Sequence, residues 1–238
     1  MEMYGHEENA LYLSPIKPTL LSRSFHTTIV NALTDRRVVL EAALRRLTDE
    51  SAPLTEAAVL LVETLRSGHK VLVVGNGGSA AEAQHFAAEL VGRFKRDRMP
   101  YAVISLATDT AILTAVANDY GYQEIFARQL RALGQPGDLL VAFSTSGESE
   151  NVLRAAEAGR QCLIKVVAVT GERSSRLEAL SDVTVRVPCT DTAAAQELHM
   201  VVTHILCDIA ETYLSEQNEQ RNTDLPLLTD AAKENSWQ

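Results

Sequence analysis

The feature that most constrains this chain is a set of five short, almost purely apolar runs, at residues 71–74, 102–106, 139–143, 166–169 and 183–187. The first four consist almost entirely of Val, Ile, Leu and Ala. A strand with one wet face alternates polar and apolar residues, whereas a strand that is apolar throughout is covered on both faces. Helical patterns fill the intervals, at about 79–92, 109–117, 121–133, 149–160 and 174–180, and a last one runs from about 192 to 215. Strands alternating with helices predict an α/β fold, a parallel sheet between two helical layers.

Two helices are expected before the first strand. Between about 24 and 49, Ile29, Leu33, Leu40, Leu44 and Leu47 recur at helical spacings and form one face. Pro53 suits a helix start, and Leu54, Ala58, Leu61, Val62 and Leu65 carry a second amphipathic pattern as far as Gly68. Lying ahead of every strand, these helices are expected to form an appendage or an oligomer contact. The expected organisation is a loose tail over 1–21, one domain over 22–215 and a polar tail over 216–238.

Composition excludes several classes. Hydrophobic residues are 46% and charged residues 22% of 238, which fits a globular chain and not a disordered, collagen-like or small disulfide-stapled one. Lys+Arg 22 against Asp+Glu 31 leaves a net charge of −9, which disfavours nucleic acid as a general partner. Cys162, Cys189 and Cys207 are scattered and odd in number, as expected of reduced, buried thiols in the cytoplasm. No stretch has the basic start and apolar run of a secretory signal, and none approaches the ~20 apolar residues of a membrane span.

Two loops have the chemistry of anion sites. Gly75-Asn76-Gly77-Gly78-Ser79 follows the first strand and opens a helix. Its glycines let backbone approach a ligand, and a helix start offers free N–H groups and positive partial charge. With Ala80 it also fits a dinucleotide fingerprint, but the acidic residue expected ~20 positions later is not cleanly placed. The second loop, Ser144-Thr145-Ser146-Gly147-Glu148-Ser149, puts four hydroxyls ahead of a helix. A helix cap accounts for one of them, Ser149. Phosphate binding by neutral donors accounts for all four. No Lys or Arg lies between 71 and 92 or between 135 and 152, so the expected donors are hydroxyls and backbone N–H groups.

Acid–base and metal-binding side chains cluster on two helices. His85, Glu89 and Arg93 recur every four residues and share one face if the helix continues. Such a stripe suits a divalent metal, acid–base work or a solvated ion-pair row. Gln196 and His204 lie eight apart on the last helix, with His199 off their line and expected to be structural. Asn118-Asp119 falls between two helical patterns, where an Asx turn is the plain expectation.

Taken together, in order and spacing, Gly75-Asn76-Gly77-Gly78-Ser79, His85-x-x-x-Glu89-x-x-x-Arg93, Asn118-Asp119, Ser144-Thr145-Ser146-Gly147 with Ser149, and Gln196 with His204 resemble the sugar isomerase (SIS) domain family. The resemblance spans about residues 54–213 and is closest to members acting on seven-carbon sugar phosphates. The N-terminal extension and the polar C-terminal tail lie outside the family pattern. The resemblance implies a flavodoxin-like five-stranded parallel sheet with helices on both faces plus two N-terminal helices. It implies a homotetramer with active sites at subunit interfaces. It implies interconversion of sedoheptulose 7-phosphate and D-glycero-D-manno-heptose 7-phosphate through an enediol. One Zn2+ per subunit is implied, on His85, Glu89, Gln196 and His204. Ser144, Thr145, Ser146 and Ser149 are implied to hold the phosphate, and Asn76, Gly77, Gly78, Ser79, Glu89, Arg93, Asn118, Asp119 and Gln196 to touch or position the sugar. Enediol chemistry needs a base at carbon and an acid at oxygen, roles assigned to Glu89 and His204. Two alternatives stand beside this expectation. One is a non-catalytic phosphosugar-binding regulator, a class without the acid–base pair. The other is an isomerase of another phosphosugar, since neither loop measures sugar length.

Overall fold

All five apolar runs are strands: β1 (Val71–Val74), β2 (Val103–Ser105), β3 (Leu139–Ser144), β4 (Lys165–Thr170) and β5 (Val183–Arg186). They pair in parallel in the order β2-β1-β3-β4-β5. This computed structural model describes residues 18–224, and side chains over 21–215. The helices are α1 (Pro18–Asp49), α2 (Ala52–Arg66), α3 (Gly78–Val91), α4 (Thr110–Tyr120), α5 (Ile125–Leu133), α6 (Glu150–Gln161), α7 (Arg176–Ala179) and α8 (Thr192–Asp224). A 3-10 turn, Tyr122–Glu124, links α4 to α5.

The sheet sorts its side chains by the strand period of two. Val71, Val73, Leu139, Val141 and Phe143 join one core with residues of α2, α3 and α8, such as Leu61, Phe86 and Leu198. Leu72, Val74, Leu140 and Ala142 join the other with Phe126, Leu130, Leu153 and Leu177 from α5, α6 and α7. Every residue of β1 and β3 is buried, which explains their unbroken apolar sequence. The edge strands β2 and β5 are short and leave Ile104 and Arg186 exposed.

This strand order places the functional end. The chain leaves β1 toward α3 on one face and leaves β3 toward α6 on the other. The two exits diverge and open a crevice at the carboxyl ends of neighbouring strands, where open α/β sheets bind ligands. Both glycine- and hydroxyl-rich loops lie at that point.

Several boundaries differ from expectation. α1 begins at Pro18, inside the stretch expected to be tail, because proline is tolerated in a first helical turn. α8 continues to Asp224, since a helix already nucleated adds good formers such as Gln, Glu and Arg at little cost. The rest of both expected tails, 1–17 and 225–238, lies outside the described residues. Asn118 and Asp119 are not between helices but in the last turn of α4, which Gly121 ends. The C-terminal part of α1 packs on the body through Leu40, Ala43 and Leu47. Arg36 ties α1 to Asp191 (3.2 Å) and Arg46 ties it to Glu172 (2.7 Å). Among the described residues, no helix is long and apolar enough to cross a membrane.

Candidate active site

The two loops of the crevice are bolted together. Asn76 Nδ2 donates to Asn151 Oδ1 at 2.7 Å, and Asn151 Nδ2 donates back to Asn76 Oδ1 at 2.8 Å. The Tyr122 hydroxyl donates to the same Asn76 oxygen at 3.1 Å. Asn76 therefore spends its carbonyl on holding the site's shape. Asn151 and Tyr122 escape a motif search because their roles exist only after β1 and β3 pair.

Two glycines of the first loop are required by geometry. Gly77 precedes α3 with φ 56°, in the left-handed region that side chains resist. A Cβ on Gly75 would collide with the backbone carbonyl of Ser79, whereas one on Gly78 would meet the side-chain amide of Gln196, which can shift. That contact places Gln196 of α8 at the start of α3, beside Ser79, which is buried.

The hydroxyl loop divides its labour. Ser144 Oγ accepts from Gly147 N at 3.1 Å and shapes the turn. Ser146 is exposed, and its Oγ accepts from Glu148 N at 3.2 Å. Ser149 sits at the N-cap of α6 without a side-chain capping bond, so capping does not consume its hydroxyl. Thr145 and Ser146 line a cavity with Arg173, Ser174, Thr190 and Thr192. The expectation of a site without cations is thus corrected. Arg173 lies 27 residues beyond Ser146 in sequence, but the β3–β4 pairing brings its loop alongside. Glu172 on the same wall is engaged by Arg46.

Beside the crevice, α3 and α8 bring His85, Glu89 and His204 into one cluster, with ligand atoms all within 4.8 Å of one another. His85 Nε2 lies 3.0 Å from His204 Nε2 and 3.3 Å from Glu89 Oε1. Ligands at ~2.0–2.1 Å from a tetrahedral zinc stand ~3.3–3.4 Å apart, so the two-imidazole, one-carboxylate set has the chemistry for that ion and its spacings, from 3.0 Å to within 4.8 Å, would need small side-chain shifts to hold it. Gln196 lines the same open groove as His85. About two helix turns of α8 thus face one turn of α3 across a shared gap.

Other sequence candidates are elsewhere. Arg93 leaves the stripe, because α3 stops at Val91 and Gly92 caps it, and its side chain is exposed. Asn118 Nδ2 donates to Asp119 Oδ1 at 2.8 Å, and both are exposed on α4 rather than joined to the cluster. His199 is fully buried, 3.2 Å from Glu82 Oε2 and against the Phe143 ring, which agrees with its expected structural role. Phe94, unremarked in the sequence, stacks on His204 with ring centroids 5.3 Å apart and planes at 22°. At the start of α8, Asp191 Oδ1 accepts from Ala194 N, and this bond with the Arg36 guanidinium holds its carboxyl below the usual range.

Comparison with known proteins agrees with this geometry. The family description for the SIS domain matches residues 37–171. A phosphoheptose isomerase of Helicobacter pylori strain P12 is 47% identical over 178 residues, 75% of this chain and 93% of the relative. One from Bordetella avium is 55% identical over 161 residues, 66% of this chain and 82% of the relative. The solved structure of a phosphoheptose isomerase from Neisseria gonorrhoeae superimposes with a TM-score of 0.72 at 38% identity, covering 79% of this chain and 99% of that one.

Proposed function

Because the chain belongs to the SIS-domain family, among its phosphoheptose isomerases, we propose that it converts sedoheptulose 7-phosphate to D-glycero-D-manno-heptose 7-phosphate. The observation that carries this reading is the convergence of Glu89 and His204 next to a hydroxyl-lined crevice.

Thr145, Ser146 and Ser149, on a frame shaped by Ser144, hold the phosphate with hydroxyl and backbone donors. Gly77, Gly78 and Ser79 bring backbone against the sugar, and Gln196 closes the wall. Asn76 acts mainly by fixing the loops. Arg93, Asn118 and Asp119 stand off the cluster within one subunit, so contact with sugar falls to them only across a subunit boundary. The exposed apolar face of α1, with Phe25 59%, Ile29 56%, Leu33 67% and Val38 58% accessible, supports such an assembly, a homotetramer. Three free cysteines support a reducing compartment, the cytoplasm.

In the reaction, Glu89 takes the proton from C1 while His204 gives one to the C2 carbonyl oxygen, leaving an enediol. Glu89 then returns its proton to C2, and His204 recovers one from the C1 hydroxyl. The C1–H bond is lost, the C2–H bond is formed, and no external oxidant or reductant is needed. His85, Glu89, Gln196 and His204 would hold one Zn2+, which supplies Lewis-acid polarisation of the sugar oxygens when bound. A carboxylate ligating zinc is a weaker base, but Glu89 has two oxygens. Oε1 faces His85, which leaves Oε2 for the proton.

Incubation with a panel of ketose phosphates, without nicotinamide or ATP, tests the reading. The heptose 7-phosphate aldose is the expected product. No turnover with or without zinc overturns the enzyme assignment, and turnover of a different phosphosugar overturns the substrate. His85→Ala is expected to lose the zinc found by elemental analysis, and unchanged stoichiometry would reject the ligand set. Ser146→Ala is expected to raise both KM and the phosphate inhibition constant by about tenfold to a hundredfold, with kcat little changed, from a charge-assisted hydrogen bond of ~1.5–3 kcal/mol. A lowered kcat at constant KM would show that Ser146 serves the chemistry instead.

A further inference from the structure

We propose that Glu211 and Arg98 are positioning residues that fix the acid–base pair through the segment joining α3 to β2, with Phe94 as the contact. The proposal rests on the assignment of Glu89 and His204 above.

Glu211 lies on α8 two turns beyond His204 and is fully buried. Its Oε1 accepts from Phe94 N at 2.9 Å, and its Oε2 accepts from Lys95 N at 2.7 Å and Arg96 N at 2.9 Å. The Arg98 side chain is 4% exposed, with Nε 3.3 Å from Glu211 Oε1. That contact is an ion pair without hydrogen-bond alignment. Its Nη1 donates to the carbonyls of Leu90 (2.8 Å), Gly92 (3.0 Å) and Met99 (3.2 Å), and Nη2 donates to the carbonyl of Glu89 (2.9 Å). The Tyr101 ring lies 4.1 Å from the guanidinium.

The last carbonyls of a helix lack partners within it, and a cation there is favourable. Arg98 is that cation for α3, and one of the carbonyls it holds belongs to the catalytic base. Glu211 is the matching anion for a row of backbone N–H groups. Its anchor is the same helix that carries the catalytic acid. Backbone held at residue 94 in this way lays the Phe94 ring on His204, while His85 meets the other ring edge-on at 5.2 Å. The imidazole is therefore gripped on two sides. Its partner Glu89 is referenced to the same buried ion pair.

Stability alone does not require such a pair, since a buried ion pair is often no better than apolar residues of equal volume. What charge adds is direction: three N–H groups and four carbonyls are aimed by two side chains. A displacement of ~1 Å at a reacting group can cost ~10²-fold in rate, which is the scale at which this device matters.

The test separates orientation from folding by changing Phe94 rather than the buried pair. Phe94→Leu keeps an apolar side chain and removes the ring. It is expected to lower kcat about tenfold to a hundredfold, with KM and phosphate inhibition within about twofold of the parent. Zinc release to a chelator is expected to quicken about tenfold or more, as for loss of a group that orients a ligand. Phe94→Tyr, which restores a ring, is expected to recover both. Parental kcat and parental zinc release in Phe94→Leu would overturn the proposal. So would a loss of rate that Phe94→Tyr fails to recover, or one matched by an equal rise in KM. A parent enzyme inactive on sedoheptulose 7-phosphate, with faster zinc release in Phe94→Leu, would sink the substrate reading and leave positioning standing.

Discussion

Glu89→Gln is expected to reduce kcat by about 10²–10⁴-fold, the usual contribution of a general base. The substitution preserves size and one oxygen at a position whose side chain is only 21% exposed and whose ion partner is His85. KM and phosphate inhibition are expected to hold, because the hydroxyl loop proposed to bind phosphate follows β3, whereas Glu89 lies near the end of α3. Far-UV circular dichroism should be unchanged. Activity near that of the parent would transfer the base role elsewhere. Another carboxylate of α3, Glu82, is buried and already engaged by His199.

The second large effect is on stability. Glu211→Ala is expected to cost ~3–5 kcal/mol, the range for breaking a buried pair and leaving one charge unmatched. At ~2–4 °C per kcal/mol for a domain of this size, the melting temperature should fall by roughly 6–20 °C. Arg98 and three backbone N–H groups lose their acceptor together, so a change of only a degree or two would mean that water replaces the carboxylate freely. The pH dependence has a definite sign. Burial pushes the Glu211 carboxyl up, but the N–H groups of Lys95, Phe94 and Arg96 together with Arg98 outweigh it and hold it below its ordinary value. The native state thus binds this proton less readily than the unfolded chain. Its contribution is present above the ordinary carboxylate pKa and is lost as pH falls through the depressed one. Denaturant midpoints measured from about pH 7 down to about pH 3 should show an acid limb that Glu211→Gln flattens.

What was legible in the sequence was whatever burial writes directly into residue type. Strands β1 and β3, covered on both faces, are apolar throughout and could be located to within a residue. His85 and Glu89 were legible as a pair because a helix turn separates them. Arg93 was misplaced by the same logic, since periodicity assumes that a helix continues. Backbone around the end of α3 is bound by Arg98 and Glu211, one of them more than a hundred residues away. Asn118-Asp119 resembled a turn by composition, yet α4 reaches Gly121 before it breaks. Asn151, Tyr122 and Arg173 carried no signal because their neighbours are created by strand order. Distance along the chain had excluded a cation from the hydroxyl loop, and the β3–β4 pairing brings Arg173 to it.

α8 carries Gln196, His199, His204 and Glu211 on one rod, about 22 Å from first to last at 1.5 Å per residue. A ribosome makes it after every other element described here. While the chain is being synthesised, the strands, both loops and Glu89 are made first, and Gln196, His204 and Glu211, the anchor of the α3–β2 segment, come last. A nascent chain without α8 therefore lacks one side of the His85, Glu89 and His204 cluster and much of the core on one sheet face. It holds only His85 and Glu89 of that cluster. On the proposed assignment of His204, competence arrives in one step, when α8 docks, and a message cut short before Thr192 is expected to yield a protein that is silent rather than partly active.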